Sequence, residues 1–317
     1  MTDTPEARIW NLLRGALATR ALAIVADLRI ADALADGPRA VTELAGQAGA
    51  DPDTLQRLLR ALASDGVFAE AEPGVFENTE TSEVLRSGGG WDDFARLFGG
   101  PWHRTAGELD ATGEPPFPRI YGTDFWDWLA QHPEERAAFD RAMEQGWERR
   151  VERLAAADWR GDETVVDVGG GNGSLLVQLL RRRPGLRGIV LDLPETNRDD
   201  DELTSSGVEF VSGDFFDRVP SGDVYILSTI LHDWDDERAT AILRTIHAAA
   251  PRDARLLVVE SVVQPGNEPD GAKWLDLLML ALFAGRERNE EQWRALLAAG
   301  GFQPIQLRDG LIEARCR

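Results

Sequence analysis

The chain has 317 residues, 43% of them hydrophobic and 28% charged, which is enough to bury the core of one large or two ordinary globular domains. Its formal net charge of −21 is typical of a surface that repels nucleic acid and anionic membranes. The single cysteine, Cys316, excludes an intramolecular disulfide framework and a cysteine-rich metal site.

The first predicted element is a helix over residues 8–34, in which apolar side chains recur at helical spacing. Polar residues break its longest apolar stretch, residues 16–26, before membrane length is reached, and the acidic start of the chain lacks the basic residues of a secretion signal. We therefore expect a cytoplasmic protein. The broad apolar face of this helix needs a partner, so we also predict that it lies at a subunit interface.

Two short helices and a hairpin are predicted next. Thr42 is predicted to cap the first of these helices, and Asp51 is predicted to cap the second, which ends before Gly66. Apolar runs at residues 67–71 and 75–79 flank a Glu-Pro-Gly turn and predict two paired strands. Helices followed by such a ribbon are typical of a winged helix.

Winged helices often bind DNA, but the charges here argue against it. Residues 1–100 contain nine arginines and sixteen acidic residues. Asp51 and Asp53 stand at the start of the helix that would read bases, and the hairpin is acidic as well. Because the basic footprint is missing, we expect no nucleic-acid partner.

The pattern changes twice further along the chain. A glycine-rich stretch at residues 87–90 ends the first region, and a helical, aromatic-rich region follows it. Short apolar runs then alternate with helical stretches, which predicts a doubly wound parallel α/β sheet. The predicted strands are residues 165–168, 188–191, 209–211, 224–227 and 256–259.

The most informative segment reads as a strand, a glycine-rich turn and the start of a helix. Glycines let a backbone approach a ligand closely, and a helix N-terminus offers unpaired N–H groups. Asp167, Gly169, Gly171 and Gly173 fall at alternate positions, which differs from the spacing of a dinucleotide fingerprint. The arrangement favours S-adenosylmethionine (SAM), whose amino-acid end suits the acidic residue.

Further candidate residues follow the predicted strands. Asp192 ends the second strand about 20 residues after the glycines, where a carboxylate can bind a ribose diol. Asp214 and Phe215 follow the third strand and offer a carboxylate to an adenine amino group and a ring for stacking, and Ser228 ends the fourth strand. Taken singly, the acids could be loop caps and the phenylalanine a core residue. Their order along the chain favours a cofactor site.

His232 follows the fourth strand, at the edge of the sheet where the cofactor residues gather. Glu260 ends the fifth strand, and Glu287 lies in a loop between two predicted helices. Two such carboxylates could hold the imidazole, fix its tautomer and raise its basicity. A phenol has a pKa of about 10, so this base suits removal of a phenolic proton during attack on the SAM methyl group. No metal-ligand cluster is visible, and we predict a metal-independent reaction.

With these motifs in this order, the chain resembles the family of plant caffeic-acid-type and bacterial natural-product SAM-dependent small-molecule O-methyltransferases. The resemblance covers essentially the whole chain and rests on the glycine motif, residues 191–194, 213–216, 231–236 and 285–288, and Glu260. It implies a Rossmann-like class I methyltransferase domain with an N-terminal, mainly helical, winged-helix-like dimerisation domain. The implied division is residues 1–90 for dimerisation, 91–157 for a helical connector that contributes to the substrate pocket, and 158–317 for the SAM-binding catalytic domain.

The resemblance also implies roles for individual residues. His232 matches the general base, Glu260 and Glu287 match the acids that flank it, and Asp233 matches a residue that contacts the substrate. The implied cofactor is SAM, with S-adenosylhomocysteine as product, and Leu193 joins the cofactor site. The implied partners are a second copy of the chain, which contributes to the pocket, and a small aromatic acceptor. The implied pocket residues are Phe125, Trp126, Phe139, Met143, Met279 and Phe283.

One segment departs from the family's pattern. Residues 197–202 are acidic where the family has a more apolar helix, which predicts a looser side to the adenine pocket. The expected function is O-methylation of a phenolic hydroxyl on a small aromatic natural product such as a polyketide. The alternatives are methylation at nitrogen or carbon, and the hydroxylation or decarboxylation catalysed by some SAM-binding relatives. Retention of His232, Glu260 and Glu287 favours methyl transfer.

Overall fold

The computed structural model describes residues 4–196, 203, 205–308 and 310–317. The acidic segment at residues 197–202, with its predicted effect on the adenine pocket, lies outside the described residues. The described chain forms two compact units, one of residues 1–109 and 131–145, the other of residues 110–130 and 146–317.

The helices up to the first strand of the large sheet are α1 (Pro5–Leu13), α2 (Gly15–Asp27), α3 (Ile30–Ala33), α4 (Val41–Ala48), α5 (Pro52–Ser64), α6 (Glu80–Glu83), α7 (Trp91–Gly99), α8 (Pro101–Ala106), α9 (Pro116–Tyr121), α10 (Phe125–Gln131), α11 (Pro133–Met143) and α12 (Trp147–Ala155). The later helices are α13 (Ser174–Arg182), α14 (Asp236–Ala249), α15 (Gly271–Phe283) and α16 (Glu290–Ala299). The strands are β1 (Arg39–Ala40), β2 (Phe68–Glu72), β3 (Val75–Asn78), β4 (Thr164–Val168), β5 (Arg187–Asp192), β6 (Val208–Ser212), β7 (Val224–Ser228), β8 (Arg255–Val259), β9 (Phe302–Arg308) and β10 (Leu311–Cys316).

The first unit contains the predicted winged helix, with differences at two helix starts. The single helix expected over residues 8–34 is divided into α1, α2 and α3, and Arg29 adopts a left-handed φ of +52° before α3. Asp51 caps α5 as predicted, because its carboxylate accepts a hydrogen bond of 2.8 Å from the Thr54 N–H. The cap expected at Thr42 is wrong. Helix α4 begins at Val41, so Thr42 lies inside the helix, and the N–H of Val41 is satisfied by the Gly74 carbonyl at 2.8 Å.

The hairpin of β2 and β3 is confirmed, and β1 adds a third, two-residue strand along β3. Strand β1 is too short to show a sequence pattern. The core of this winged helix is a cluster of buried apolar side chains that includes Leu44, Leu55, Leu59, Phe68 and Phe76.

The first two helices present an uncovered apolar surface. Helical residues Pro5–Asp27 are long and apolar enough to cross a membrane by length and composition, which differs from our expectation; signal sequences and buried core helices of soluble proteins pass the same test. The large apolar side chains on this surface are between 58% and 74% exposed, and they are Ile9, Trp10, Leu12, Leu13 and Leu17. We call these five residues the α1–α2 apolar face.

The second unit is built on a seven-stranded sheet of order β6-β5-β4-β7-β8-β10-β9. All five predicted strands are present and parallel, so the Rossmann-like fold class is confirmed. The sheet is nevertheless mixed, because β10 runs antiparallel to both β8 and β9. The pattern of apolar runs in the sequence did not predict this last hairpin. Pro304 lies inside β9, and a proline is tolerated there because β9 is an edge strand.

This topology positions the site. The carboxyl ends of the five parallel strands meet at one edge of the sheet, where open α/β sheets bind ligands. The segments that leave these ends are the glycine loop after β4, the residues that follow β5, β6 and β8, and the short 3-10 helix Leu231–Asp233 after β7.

Candidate active site

The glycine loop connects β4 to α13 and has no room for side chains at Gly169, Gly170 and Gly173. Gly169 and Gly173 have φ angles of +73° and +81°, in the left-handed region that favours glycine. A Cβ on Gly169 would lie 2.6 Å from Ile230 Cδ1, and one on Gly173 would lie 2.5 Å from Leu203 Cδ1. Gly171, at φ +59°, faces open space. The loop therefore presents bare backbone to any ligand at this edge.

Asp167 is a buried acid whose Oδ2 has no hydrogen-bond partner among the described residues. Burial, together with the charge of Asp192, raises the pKa of Asp167 to about 7 against the opposing effect of the Arg150 guanidinium. A carboxylate in this state is stabilised by a cation placed beside it. Arg150, on α12, was missed in the sequence because one arginine among several in a charged helix gives no signal.

Asp192 ties the end of β5 to the glycine loop. Its Oδ2 accepts a hydrogen bond of 2.7 Å from the Gly171 N–H, and its Oδ1 accepts one of 2.7 Å from the Leu193 N–H. Each carboxylate oxygen has a second lone pair, so the same group can also accept from a diol. Leu193 is an exposed apolar side chain next to it.

The residues after β6 and β7 complete this edge. Asp214 is exposed and accepts a hydrogen bond of 2.8 Å from the Phe216 N–H, which orients its carboxylate. The half-buried ring of Phe215 lies 3.5 Å from the position of a Cβ on Gly169. Ser228 Oγ is buried and has no partner among the described residues.

These observations fit SAM. The unpartnered oxygen of Asp167 suits an ammonium group, Asp192 suits a diol, and Asp214 with Phe215 suits an adenine. The glycine loop leaves backbone, rather than side chains, next to where such a ligand would lie. The predicted cofactor residues are thus brought to one edge of the sheet.

His232 is buried in the short helix after β7, with carboxylates on both sides of its ring. Nδ1 lies 2.6 Å from Glu287 Oε1 and 3.5 Å from Glu260 Oε2, and Nε2 lies 3.4 Å from Asp233 Oδ1. The second oxygen of each glutamate, Oε2, has no hydrogen-bond partner among the described residues. The four predicted catalytic residues therefore form one cluster, which we call the His232 cluster.

Burial and charge raise the pKa values of three members of the His232 cluster. Burial alone lowers the pKa of His232, but the carboxylates of Glu260, Asp233 and Glu287 outweigh it and raise that pKa to about 10. Burial raises the pKa of Asp233 to about 7 against the attraction of His232, and burial also raises the pKa of Glu260. The imidazole is therefore a much stronger base than a histidine in water.

Backbone geometry fixes the positions of Glu260 and Glu287. Glu260 Oε1 accepts hydrogen bonds of 2.9 Å from the N–H groups of Ile230 and Leu231. Thr229, just before them, has a left-handed φ of +55°, which is strained for a β-branched residue. The N–H of Glu287 donates to Asp276 Oδ1 at 2.8 Å.

Two supporting residues were missed in the sequence. Asp276 could have been singled out in the sequence, because it is the single acid in the apolar helix α15. Arg288 belongs to the 285–288 motif but was given no role, and it is a fully buried charge. Sequence spacing shows neither burial nor the partner of a long side chain.

The predicted pocket residues are divided between the two units. In the second unit, Phe125 and Met279 are buried, whereas Trp126 and Phe283 are half-buried and expose ring surface. The Phe283 ring lies 4.8 Å from that of Phe125 and is stacked at 5.5 Å on that of Trp126. Helix α15, which carries Met279 and Phe283, contacts the turn that holds His232. Phe139 and Met143 lie on α11 of the first unit, where both are half-buried.

A glycine-rich cofactor loop and a carboxylate-held histidine at one edge of such a sheet define the class of SAM-dependent methyltransferases. A model of the O-methyltransferase domain matches residues 102–303, and a model of the O-methyltransferase dimerisation domain matches residues 10–88. The chain belongs to this O-methyltransferase family, and its activity is that of a SAM-dependent O-methyltransferase.

Individual relatives match over nearly their whole length. The phenazine O-methyltransferase PhzM of Lysobacter antibioticus is 40% identical over 325 residues, which cover 97% of this chain and 95% of that protein. The crystal structure of LaPhzM has a TM-score of 0.92 at 37% identity and covers 99% of this chain and 100% of that one. NcsB1 from neocarzinostatin biosynthesis, in complex with S-adenosylhomocysteine and 1,4-dihydroxy-2-naphthoic acid, has a TM-score of 0.81 at 36% identity, with 95% and 96% of the two chains covered.

Proposed function

We propose that the chain methylates a phenolic hydroxyl of a small aromatic natural product, with His232 as general base. The observation that carries the proposal is the orientation of the imidazole. Glu287 occupies Nδ1 at 2.6 Å, which leaves Nε2 as the atom that meets an acceptor. The relatives support an aromatic acceptor, since one is named for a phenazine and another binds a dihydroxynaphthoic acid.

His232 Nε2 receives the hydroxyl proton, and Glu287 and Glu260 stabilise the imidazolium that results. When bound, SAM supplies the methyl group, so the acceptor O–CH3 bond forms as the S–CH3 bond breaks and S-adenosylhomocysteine remains. Asp233 Oδ1 lies 3.4 Å from Nε2, so a hydroxyl that reaches Nε2 also meets Asp233. We propose that Asp233 orients the acceptor. Positioning for an in-line displacement supplies the rest of the rate.

The proton affinity of His232 matches that of the acceptor. Its pKa of about 10 equals the pKa of about 10 of a phenol, so proton transfer between the two is close to thermoneutral. A base must be neutral to accept, and the neutral fraction of His232 grows as pH rises toward 10. The rate should therefore increase with pH through the neutral range.

The chain's own groups would hold SAM at the glycine loop. Asp167 would bind its ammonium group, Asp192 and Leu193 would lie at the ribose, and Asp214 and Phe215 at the adenine. The buried Ser228 hydroxyl offers one more hydrogen bond at the same edge. Gly169, Gly171 and Gly173 would line the loop.

We also propose that the reaction needs no metal. His232, Glu260 and Glu287 have ligand atoms within 4.8 Å of one another, which is compatible with a metal site. One oxygen of each glutamate is already engaged with protein protons, because Glu260 Oε1 accepts two backbone N–H groups and Glu287 Oε1 shares a proton with Nδ1. We propose that Nδ1 and these carboxylates serve proton transfer instead, with Glu287 bound to Nδ1 at 2.6 Å.

The acceptor pocket is proposed to be lined by the half-buried rings of Trp126 and Phe283, backed by Phe125 and Met279. Phe139 and Met143 of the first unit are proposed to take part as well. The division into residues 1–90, 91–157 and 158–317 remains our proposal for the functional regions.

We propose that the protein is a homodimer. Four of the five residues of the α1–α2 apolar face lie within residues 10–88, which the dimerisation model matches, and all five side chains are exposed among the described residues of one chain. A second copy would bury this face and contribute to the pocket. We also propose a cytoplasmic location, where the free thiol of Cys316 is stable, and no nucleic-acid or membrane partner.

The test measures S-adenosylhomocysteine release from SAM with a panel of phenols, anilines and phenol-free aromatics, for wild type and His232→Ala. Phenol-dependent release that falls by roughly 10²–10⁴ in the variant, with SAM affinity kept, supports the proposal. Release with anilines alone would indicate N-methylation. Activity that is lost on chelation and restored by a divalent ion would overturn metal independence.

A further inference from the structure

Arg288 is a charged side chain with no exposed surface, close to the His232 cluster. Burial of a guanidinium is costly unless its donors are satisfied. Its Nη1 donates to the Leu231 carbonyl at 2.8 Å and its Nη2 to the Trp234 carbonyl at 2.8 Å. Its Nε donates to Asp236 Oδ1 at 2.9 Å. The three bonds use the planar fork that distinguishes arginine from lysine.

The two carbonyl groups bracket the reactive pair. Leu231 precedes His232, and Trp234 follows Asp233, so one rigid group holds both ends of the turn. The loop that carries Arg288 makes further contact, because the Arg286 N–H donates to the His232 carbonyl at 2.8 Å. The backbone carbonyl groups of Leu231, His232 and Trp234 thus all accept hydrogen bonds from this loop.

We infer that Arg288 is a positioning residue for proton transfer, which sets the backbone of His232 and Asp233 so that the imidazole meets both Glu287 and the acceptor. The inference rests on the proposed role of His232 as base. Glu287 and Arg288 are adjacent in sequence. The Glu287 side chain orients the imidazole ring, and the Arg288 side chain orients the backbone of the same turn.

Charge pairing alone does not explain the burial of Arg288. Its ionic partner Asp236 has a side chain that is 57% exposed, and the half-exposed Arg286 pairs with the same carboxylate at 3.3 Å. The two carbonyl bonds are what Arg288 has and Arg286 does not have. Arg286 is therefore a matched control, since it is an arginine of the same loop with the same acidic partner.

The first experiment compares Arg288→Lys and Arg288→Gln with Arg286→Gln. A lysine cannot reach both carbonyl groups at once, so kcat should fall by about tenfold to a hundredfold, the usual effect of a small misplacement of a reacting group. SAM affinity should stay within twofold of wild type. Arg286→Gln should retain kcat within about threefold. Full activity of Arg288→Lys, or loss of folding by both Arg288 variants in circular dichroism, would overturn the inference.

The second experiment is a double-mutant cycle with His232→Ala. If Arg288 acts mainly through His232, Arg288→Lys should lower kcat by a much smaller factor once the imidazole is absent, and the small remaining effect should come from Asp233. A residue that only supports the fold would lower kcat by the same factor in both backgrounds, and that result would overturn the inference. Full activity of His232→Ala alone would instead refute the proposed base.

Discussion

Glu287→Gln isolates the charge that acts on His232. The substitution keeps the size and the carbonyl oxygen of the side chain, so Nδ1 retains a hydrogen-bond acceptor near 2.6 Å. What is lost is the negative charge that stabilises the imidazolium formed in the reaction. The backbone bond from the Glu287 N–H to Asp276 is unaffected, so the loop should keep its place.

The size of the effect follows from that bond. A hydrogen bond to a charged group contributes about 1.5–3 kcal/mol, compared with about 1 kcal/mol for a neutral pair. Loss of 1–2 kcal/mol of stabilisation in the transition state corresponds to a fall in kcat of roughly five- to thirtyfold, since about 1.4 kcal/mol is a factor of ten. Because Glu287 raises the pKa of His232, its neutralisation should also move the rising limb of the pH–rate profile to lower pH.

The assay is steady-state methyl transfer to one phenol from pH 6 to pH 10, with SAM affinity measured separately by titration calorimetry. Glu290→Gln is the matched control, because Glu290 is an exposed acid a few residues away that pairs with Arg294 on the surface. A kcat for Glu287→Gln within threefold of wild type, with an unchanged pH profile, would refute the role assigned to Glu287.

Four other predictions use different parts of the structure. Asp167→Asn should weaken SAM binding by about tenfold to a hundredfold, as expected for loss of a charged partner, and equal affinity in calorimetry would contradict the assignment. Leu13→Asp should convert a dimer to a monomer in light scattering, and a persistent dimer would exclude the α1–α2 apolar face as the interface. The pKa of His232 is raised from 6.5 to about 10 in the folded state, so the folded protein holds a proton that the unfolded chain releases. This stabilisation is full below pH 6.5 and is lost as pH rises to about 10, so Tm should fall over that range, and less steeply in His232→Ala. Phe283→Ala should raise the acceptor KM without changing SAM affinity, and a reduced SAM affinity would place Phe283 outside the pocket.

The sequence was most informative where local rules act alone. The five parallel strands and the cap at Asp51 follow from periodicity, turn glycines and hydrogen-bonding groups close in sequence. The positions of Asp192, His232 and Glu260 follow as well, because each stands at the carboxyl end of a strand and parallel strands end at the same edge of a sheet.

Other features depend on contacts that spacing does not encode. The final hairpin was not predicted, because proline disfavours a strand and Pro304 lies inside β9. The proline is tolerated because β9 is an edge strand. Arg288 was unassigned, since the Leu231 and Trp234 carbonyl groups that it binds lie more than fifty residues away along the chain. Thr42 is not a cap because α4 begins before it, at Val41, whose N–H is satisfied by the Gly74 carbonyl of a hairpin that is distant in sequence.

The role of His232 is tested most directly by phenols of graded acidity. Methyl transfer would be measured for wild type and His232→Ala at pH 8 with a series of similar phenols whose pKa values run from about 7 to about 10, around the ordinary phenol value. A base is needed only when the acceptor is still protonated. We therefore expect the defect of the variant to be large for the weakest acids and to shrink toward zero for phenols that are already ionised. An equal defect across the series would contradict proton removal by His232 and would leave it a structural residue.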